Sequence, residues 1–320
     1  MPLSGCFHWL GGRDSNPDSM VQSHVSYRWT TSQAGRPVRI ADAPPDFNAQ
    51  PAYTRDMAVL LVLLALFAVV APALPAATAP APSPVPADSR ELVLSVSADW
   101  DATTARIVRF ERTDAGAPWR AADPPVIGSL GRTGLAWGTG LHPSGLAGPH
   151  KREGDGKSPA GVFDLRLATG YAPAPPPGTR LSYRPATATL RCVDDPGSKF
   201  YNRLVDEAEV KKDWNSAEDM RRSDALYRLL VWVGHNDAPV AAGAGSCIFL
   251  HLRSAPTSVT EGCTALDDTP LESLLVWLDP AKRPVLVQLP EGALRKLRAA
   301  WGLPSPRQGT ATTSLPAADR

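Results

Sequence analysis

Short runs of alternating or continuous apolar residues dominate the middle of the chain. Residues 91–97 (ELVLSVS) and 106–111 (RIVRFE) alternate in part and flank the turn-rich Asp101-Ala102-Thr103-Thr104. This predicts a hairpin with a longer loop. Leu226–Val233 (LYRLLVWV), Cys247–Leu252 (CIFLHL) and Pro284–Leu289 are apolar runs of strand length and predict buried strands. Helical signals are fewer. Thr269-Pro270-Leu271-Glu272 combines an N-cap residue, Pro at the first helical position and Glu at the third, and predicts a helix to about Leu278. Ser216-Ala217-Glu218-Asp219 reads as a second, shorter capped start, and Glu291–Trp301, closed by Gly302, as a third helix. The expected class is predominantly β with a few helices, α+β, over residues 91–303.

Outside that region the pattern changes. Residues 57–70 (MAVLLVLLALFAVV) form an apolar run too short for a comfortable membrane span, followed by Ala71-Pro72-Ala73 and Ala77-Thr78-Ala79. The segment 57–79 therefore reads as a signal peptide or a signal anchor, and a membrane tether is expected if it is not cleaved. Residues 1–56 are polar without sustained periodicity and read as a misassigned leader, with translation starting at Met57, or as a disordered tail. Residues 80–90 continue an Ala/Pro-rich stretch expected to be an extended linker. Residues 304–320 read as a disordered tail.

Composition narrows the function. The chain has 320 residues, 43% of them apolar, and a formal net charge of +1. That length supports one sizeable core, and the charge gives no electrostatic case for nucleic acid as a partner. No GxxxxGK(S/T) phosphate loop occurs. Asp194-Asp195 and Asp267-Asp268 are acidic pairs in turn and cap contexts, and read as such. Of four cysteines, Cys6 falls in the leader. Cys192, Cys247 and Cys263 remain, with no CxxC pair to suggest a structural metal. Three is an odd number, so one thiol stays free once any pair has formed.

The chemistry concentrates between Gly245 and Leu266, GSCIFLHLRSAPTSVTEGCTAL. An apolar strand ends in His251, a polar loop follows, and the chain reaches Gly262-Cys263. A thiol becomes a useful nucleophile as thiolate, which needs a neighbouring base or positive charge. His251 is placed to serve Cys263. Gly262 lets the backbone approach a substrate, and the amides of Gly262 and Cys263 are candidates to face a developing oxyanion.

Three stretches carry a resemblance to a known family. They are Gly156-Lys157-Ser158-Pro159-Ala160-Gly161-Val162-Phe163, Ile248-Phe249-Leu250-His251 and Thr260-Glu261-Gly262-Cys263. In order and placement they resemble the GK-(S/T)P-x-G-x-F segment, the strand ending in the catalytic His, and the (S/T)-x-G-C box of the L,D-transpeptidase (YkuD-like) catalytic domain. The resemblance covers roughly residues 126–290 and implies a YkuD-like β-sandwich. It also implies an exported, cell-envelope or periplasmic cysteine acyltransferase acting on peptidoglycan stem peptides, with no metal or organic cofactor. Cys263 would form a thioester with the donor stem, and His251 would move the proton. The alternatives are an L,D-carboxypeptidase using the same site, or a catalytically silent wall-binding scaffold. Two positions depart from the commoner pattern: Glu261 stands where many relatives have His, and Ala265 where many have Arg.

Further residues are weighed against that site. Thr260, Glu261, His235, Lys151 and Arg152 are candidate substrate contacts. For His235 a structural turn, and for Lys151 and Arg152 an ordinary Gly-rich turn, are the competing accounts. A Cys192–Cys247 disulfide is the pairing that leaves Cys263 free. Cys247 as a second thiol near the site stays open, because sequence does not fix connectivity.

Overall fold

A computed structural model describes residues 82–306. The segments 1–56, 57–79 and 307–320 lie outside the described residues. The strands are β1 (Glu91–Ser97), β2 (Thr104–Glu111), β3 (Arg120–Ala121), β4 (Val126–Ser129), β5 (Leu135–Trp137), β6 (Ser158–Gly170) and β7 (Ser182–Pro185). They continue as β8 (Leu190–Val193), β9 (Leu204–Asp206), β10 (Ala217–Asp219), β11 (Leu229–Val233), β12 (Phe249–Leu252), β13 (Thr264–Leu266) and β14 (Val285–Pro290). Two α-helices, α1 (Asp268–Trp277) and α2 (Glu291–Leu297), and a short 3₁₀ turn at Pro280–Lys282 complete the described elements. The protein is thus mostly β with few helices.

The architecture corrects the expected sandwich. The main sheet runs β1-β14-β6-β11-β12-β13-β4-β2, and β2 pairs back onto β1, so eight strands close into a barrel. Closure satisfies the backbone groups that two open sheets would leave at their edges. The predicted hairpin supplies the closing pair, with Leu94 opposite Val108. β14 returns parallel to β1, with Val93 opposite Leu286. A separate three-stranded sheet, β10-β8-β9, stands beside the barrel's β11–β12 region, to which a disulfide ties it.

The apolar pattern explains what packs where. Leu92, Leu94, Val162, Phe163, Val231, Leu250 and Leu286 join one large core, with Leu271, Leu274 and Leu275 of α1 buried against it. A second cluster gathers Leu190, Cys192, Met220, Tyr227, Leu230, Cys247, Phe249 and Cys263. The split follows strand geometry, since successive side chains point to opposite faces. Helix α1 lies against β11 and β12, and α2 against β14 and β1. No helix among the described residues is long and apolar enough to cross a membrane.

Local expectations shift in five places. Helix α1 begins at Asp268 rather than after Thr269, and its cap residue Asp267 makes no capping hydrogen bond. The Asp267 carboxylate is instead gripped by both arms of Arg253, at 2.6 and 2.5 Å. Ser216–Asp219 is not a helix start. Residues 217–219 form β10, with Glu218 opposite Cys192 of β8, so tertiary pairing overrides the local cap pattern. Helix α2 ends at Leu297 and continues to Trp301 as turns. The expected linker is packed over its described part: Val85 joins the core, Ser83 Oγ donates to the Trp301 carbonyl at 2.8 Å, and Arg112 Nε to that of Ser89 at 2.6 Å. The expected tail likewise remains in contact through Pro306, whose carbonyl accepts from Arg106.

Candidate active site

Two parallel strands position the thiol and the imidazole. β12 and β13 pair with Leu250 opposite Thr264 and His251 opposite Ala265. Cys263, one residue before β13, therefore sits beside Phe249 and on the same face as Phe249 and His251. The Phe249 N–H donates to Cys263 Sγ at 3.3 Å, and the thiol donates to the Cys247 carbonyl at 3.5 Å. Cys263 and His251 line one cavity of about 460 Å³. The His251 ring is oriented by Nδ1, which lies 2.7 Å from the Leu252 carbonyl. A carbonyl can only accept, so Nδ1 carries the proton and Nε2 keeps its lone pair. No hydrogen bond joins the thiol to the imidazole.

The loop into Cys263 is held by its own hydroxyls. Thr260 Oγ1 and Ser158 Oγ each donate to the Cys263 carbonyl at 2.6 Å. The Gly262 N–H donates to Thr260 Oγ1 at 3.2 Å, and the Gly131 N–H to Ser158 Oγ at 2.8 Å. Thr260 lines the cavity, but its hydroxyl fixes the Cys263 peptide. Gly262 has φ +146°, and a Cβ there would stand 3.1 Å from the Lys157 carbonyl. A side chain at 262 is therefore disfavoured by both backbone and space. Ser158, Phe249, His251 and Thr260–Cys263, drawn from three separated stretches of sequence, meet at this point.

The remaining candidates separate. Lys151 is buried, lines the cavity beneath Gly262, and pairs with Asp155 at 2.7 Å. Burial opposes the Asp155 charge, but hydrogen bonds from Lys151 and from the Arg152 and Lys157 amides outweigh it and hold the carboxyl below its ordinary range. Arg152 is exposed and does not line the cavity. Glu261 sits at the rim, its side chain 82% exposed, paired with Arg132 at 2.7 Å. His235 is not a cavity residue. It is buried, with Nδ1 accepting from the Thr139 N–H at 3.1 Å and Nε2 facing the Ala244 carbonyl at 3.0 Å. Burial, helped by the Lys151 charge, pushes its pKa down to about 3. It is a neutral structural histidine.

Cys192 and Cys247 form a disulfide with Cα atoms 5.9 Å apart, leaving Cys263 as the free thiol among the described residues. The bond ties the small sheet to the approach of β12 and brings in residues that the sequence did not assign to the site. Glu218 Oε2 accepts from the Tyr227 hydroxyl at 2.5 Å. The Tyr227 ring packs edge-on against His251, centroids 5.3 Å apart. The Arg222 guanidinium lies 5.0 Å over the Tyr227 ring and is held by Asp224 at 2.8 Å. Glu218 and Arg222 line the same cavity, as do Asp194 and Glu153. No local motif marks Glu218; only its place opposite the disulfide cysteine puts it at the site.

Burial dominates the electrostatics. It pushes the Cys263 thiol well above its usual range, assisted by the Glu218 charge and opposed by the Phe249 amide, Lys151 and Arg222. It pushes His251 down to about 4. It pushes Glu218 up to about 7, against the Tyr227 hydrogen bond. At neutral pH the cavity thus holds a neutral thiol and a neutral imidazole with a free lone pair. That imidazole can accept a proton when an electrophile arrives.

The described fold and site define a mostly β protein with a closed barrel and a buried thiol and a buried imidazole that line one cavity. No family model, curated protein or solved structure matches the chain. Among the described residues, no group of three or more His, Cys, Asp or Glu side chains is placed to hold a metal ion.

Proposed function

We propose that the protein is a cysteine acyltransferase, an L,D-transpeptidase acting on peptidoglycan stem peptides in the cell envelope. The observation that carries this reading is that Cys263 and His251 share a sheet face and a cavity while the other two described cysteines are locked together. The meeting of the three motif stretches supports it, although the barrel is not the architecture the resemblance implied. The disulfide supports an exported location, because such bonds persist in oxidising compartments.

In this mechanism Cys263 Sγ attacks the carbonyl between an L-centre and a D-centre of a donor stem as His251 Nε2 takes the thiol proton. The imidazolium returns that proton to the leaving amine, the C–N bond breaks, and a thioester remains on Cys263. Since Thr260 already engages the Gly262 amide, the Cys263 N–H is the amide left to serve the oxyanion. Burial of the thiol suits this sequence, because ionisation then accompanies attack rather than preceding it. An acceptor amine resolves the thioester into a cross-link; water would give an L,D-carboxypeptidase instead. Incubation with a tetrapeptide stem tests the proposal. Wild type releases the terminal D-residue and acquires a thioester mass on Cys263, and Cys263→Ala does neither. Equal release by both proteins rejects catalysis and leaves a wall-binding scaffold. Covalent trapping of Cys263 by a carbapenem is a cheaper first check.

A further inference from the structure

The charges lining the cavity are not evenly satisfied. Its two cations are paired with acids: the buried Lys151 with Asp155 and the exposed Arg222 with Asp224. Its inner carboxylates have no such partner. Glu218 is held by the Tyr227 hydroxyl, and Glu153 accepts from the hydroxyls of Ser246, at 2.7 Å, and of Tyr201. Asp194 Oδ1 is buried without any hydrogen-bond partner. Half-buried carboxylates that line one cavity without an ionic partner lower the energy of a cation placed among them. The same cavity contains the thiol.

From this arrangement, and resting on the thioester reading above, we infer that Glu218 receives the acyl acceptor as a primary ammonium and takes its proton. Glu218 suits this role in position and in charge. It is fixed opposite Cys192 by the β8–β10 ladder, and the disulfide anchors that ladder beside β12. Its carboxyl is shifted toward neutrality by burial, so it can accept a proton near physiological pH. The step balances. The bound R–NH₃⁺ gives one proton to the Glu218 carboxylate, and the freed nitrogen attacks the thioester carbonyl. The C–S bond breaks, a second N–H proton passes through His251 to the Cys263 sulfur, and the third stays on the new amide. Asp194 and Glu153 add negative potential around the incoming cation. The consequence is specificity: the wall favours an ammonium over water, and so transfer over hydrolysis.

The test compares two acceptors on the preformed thioester: a stem-peptide primary amine, cationic at neutral pH, and hydroxylamine, which is neutral there. Glu218→Gln keeps an oxygen for the Tyr227 hydroxyl but removes the charge and the proton acceptor. It is expected to lower transfer to the primary amine at least about tenfold more than transfer to hydroxylamine. Glu218→Asp should recover part of that preference. Equal losses for both acceptors, or none, overturn the inference while the thioester reading stands. If wild type forms no Cys263 thioester, the functional reading fails first and the inference with it. Should Glu218→Gln not fold, wild type decides. An acceptor preference for the primary amine that weakens with added salt supports the carboxylate wall, and an acceptor rate indifferent to salt and to acceptor charge rejects it.

Discussion

The two faces of β12 carry opposite kinds of burial. Ile248, Leu250 and Leu252 enter the large core beside the leucines of α1. Cys247, Phe249 and Cys263, with His251 on the same face, look toward Tyr227, the disulfide and the cavity. Strand alternation decides which residues go to which face. It does not decide what each face becomes. One receives a helix and turns into inert core, whereas the other receives a disulfide-tethered sheet that delivers a carboxylate and a tyrosine to a thiol. Burial alone therefore does not mark structure or function; what fills the opposite wall does.

The sharpest way to break this comparison is to alter one residue on each face. Cys263→Ala is expected to reduce donor turnover at least about a thousandfold, because no other group replaces the attacking atom. Its effect on stability should be small, about 1 kcal/mol, since only one sulfur is removed. Leu250→Ala should do the reverse, with about 2–5 kcal/mol lost to the cavity it leaves and thioester formation by the folded fraction retained. Urea melts read beside thioester mass separate the two. A Cys263→Ala protein as unstable as Leu250→Ala would make the thiol a packing residue.

The disulfide sets the next largest effect. Its cysteines are 55 residues apart in sequence, and a loop of that size corresponds to about 4 kcal/mol of stability in the chain-entropy account. Replacing Cys192 and Cys247 together by Ala should remove stability of that order. Hydrogen exchange should quicken first in β8–β10 and only later in the barrel strands. Simultaneous loosening of the barrel would show that the small sheet is integral to it rather than tethered to it.

Legibility in the sequence follows the same division. The hairpin of β1 and β2, the strands β11, β12 and β14, and the placing of Cys263 and His251 on one cavity follow from local runs and from a short chain segment. Closure into a barrel was not legible, because it depends on β2 meeting β1 as well as β4, and pairing partners leave no local mark. Ser216–Asp219 carries a genuine capping pattern, but a three-residue ladder to Cys192 outweighs it. His235 follows a strand just as a site residue might, yet its ring faces backbone groups on both nitrogens. Glu218 and Tyr227 reach the site from parts of the chain without any catalytic motif.

Acid should act on the fold through its buried titratable groups. His251, pushed down to about 4, and His235, to about 3, bind protons less readily folded than unfolded, where histidine titrates near 6.5. The unfolded state therefore holds more protons below about 6.5, and stability falls as pH drops from there toward 4. Each buried ring contributes on the order of 3 kcal/mol. Glu218 acts with the opposite sign, its carboxyl being pushed up to about 7. Its contribution is present at low pH and is lost as pH rises through that value. Asp155, Asp224 and Asp267 are held below their ordinary range, so their losses come at lower pH still. Melts between pH 7 and 4 should show a net fall with acid, steeper in Glu218→Gln. A flat wild-type profile would mean that the histidines are charged in the fold.

The smallest effect belongs to the rim. Arg132 and Glu261 pair at 2.7 Å, but their side chains are 45% and 82% exposed. Water and salt screen such a pair, and holding two long side chains together costs entropy, so exposed ion pairs contribute little. Glu261→Gln should shift stability by less than about 1 kcal/mol, and less still in high salt. Its acceptor selectivity should also move far less than that of Glu218→Gln, although Glu261 stands within the Thr260–Cys263 stretch where it departs from the pattern that stretch resembles. The contrast depends on enclosure: Glu218 faces a cavity wall where a charge without an ionic partner is felt, and Glu261 faces solvent. If Glu261→Gln reversed the preference between the amine and hydroxylamine while Glu218→Gln did not, acceptor choice would be made at the entrance, and the buried face of β12 would hold the nucleophile alone.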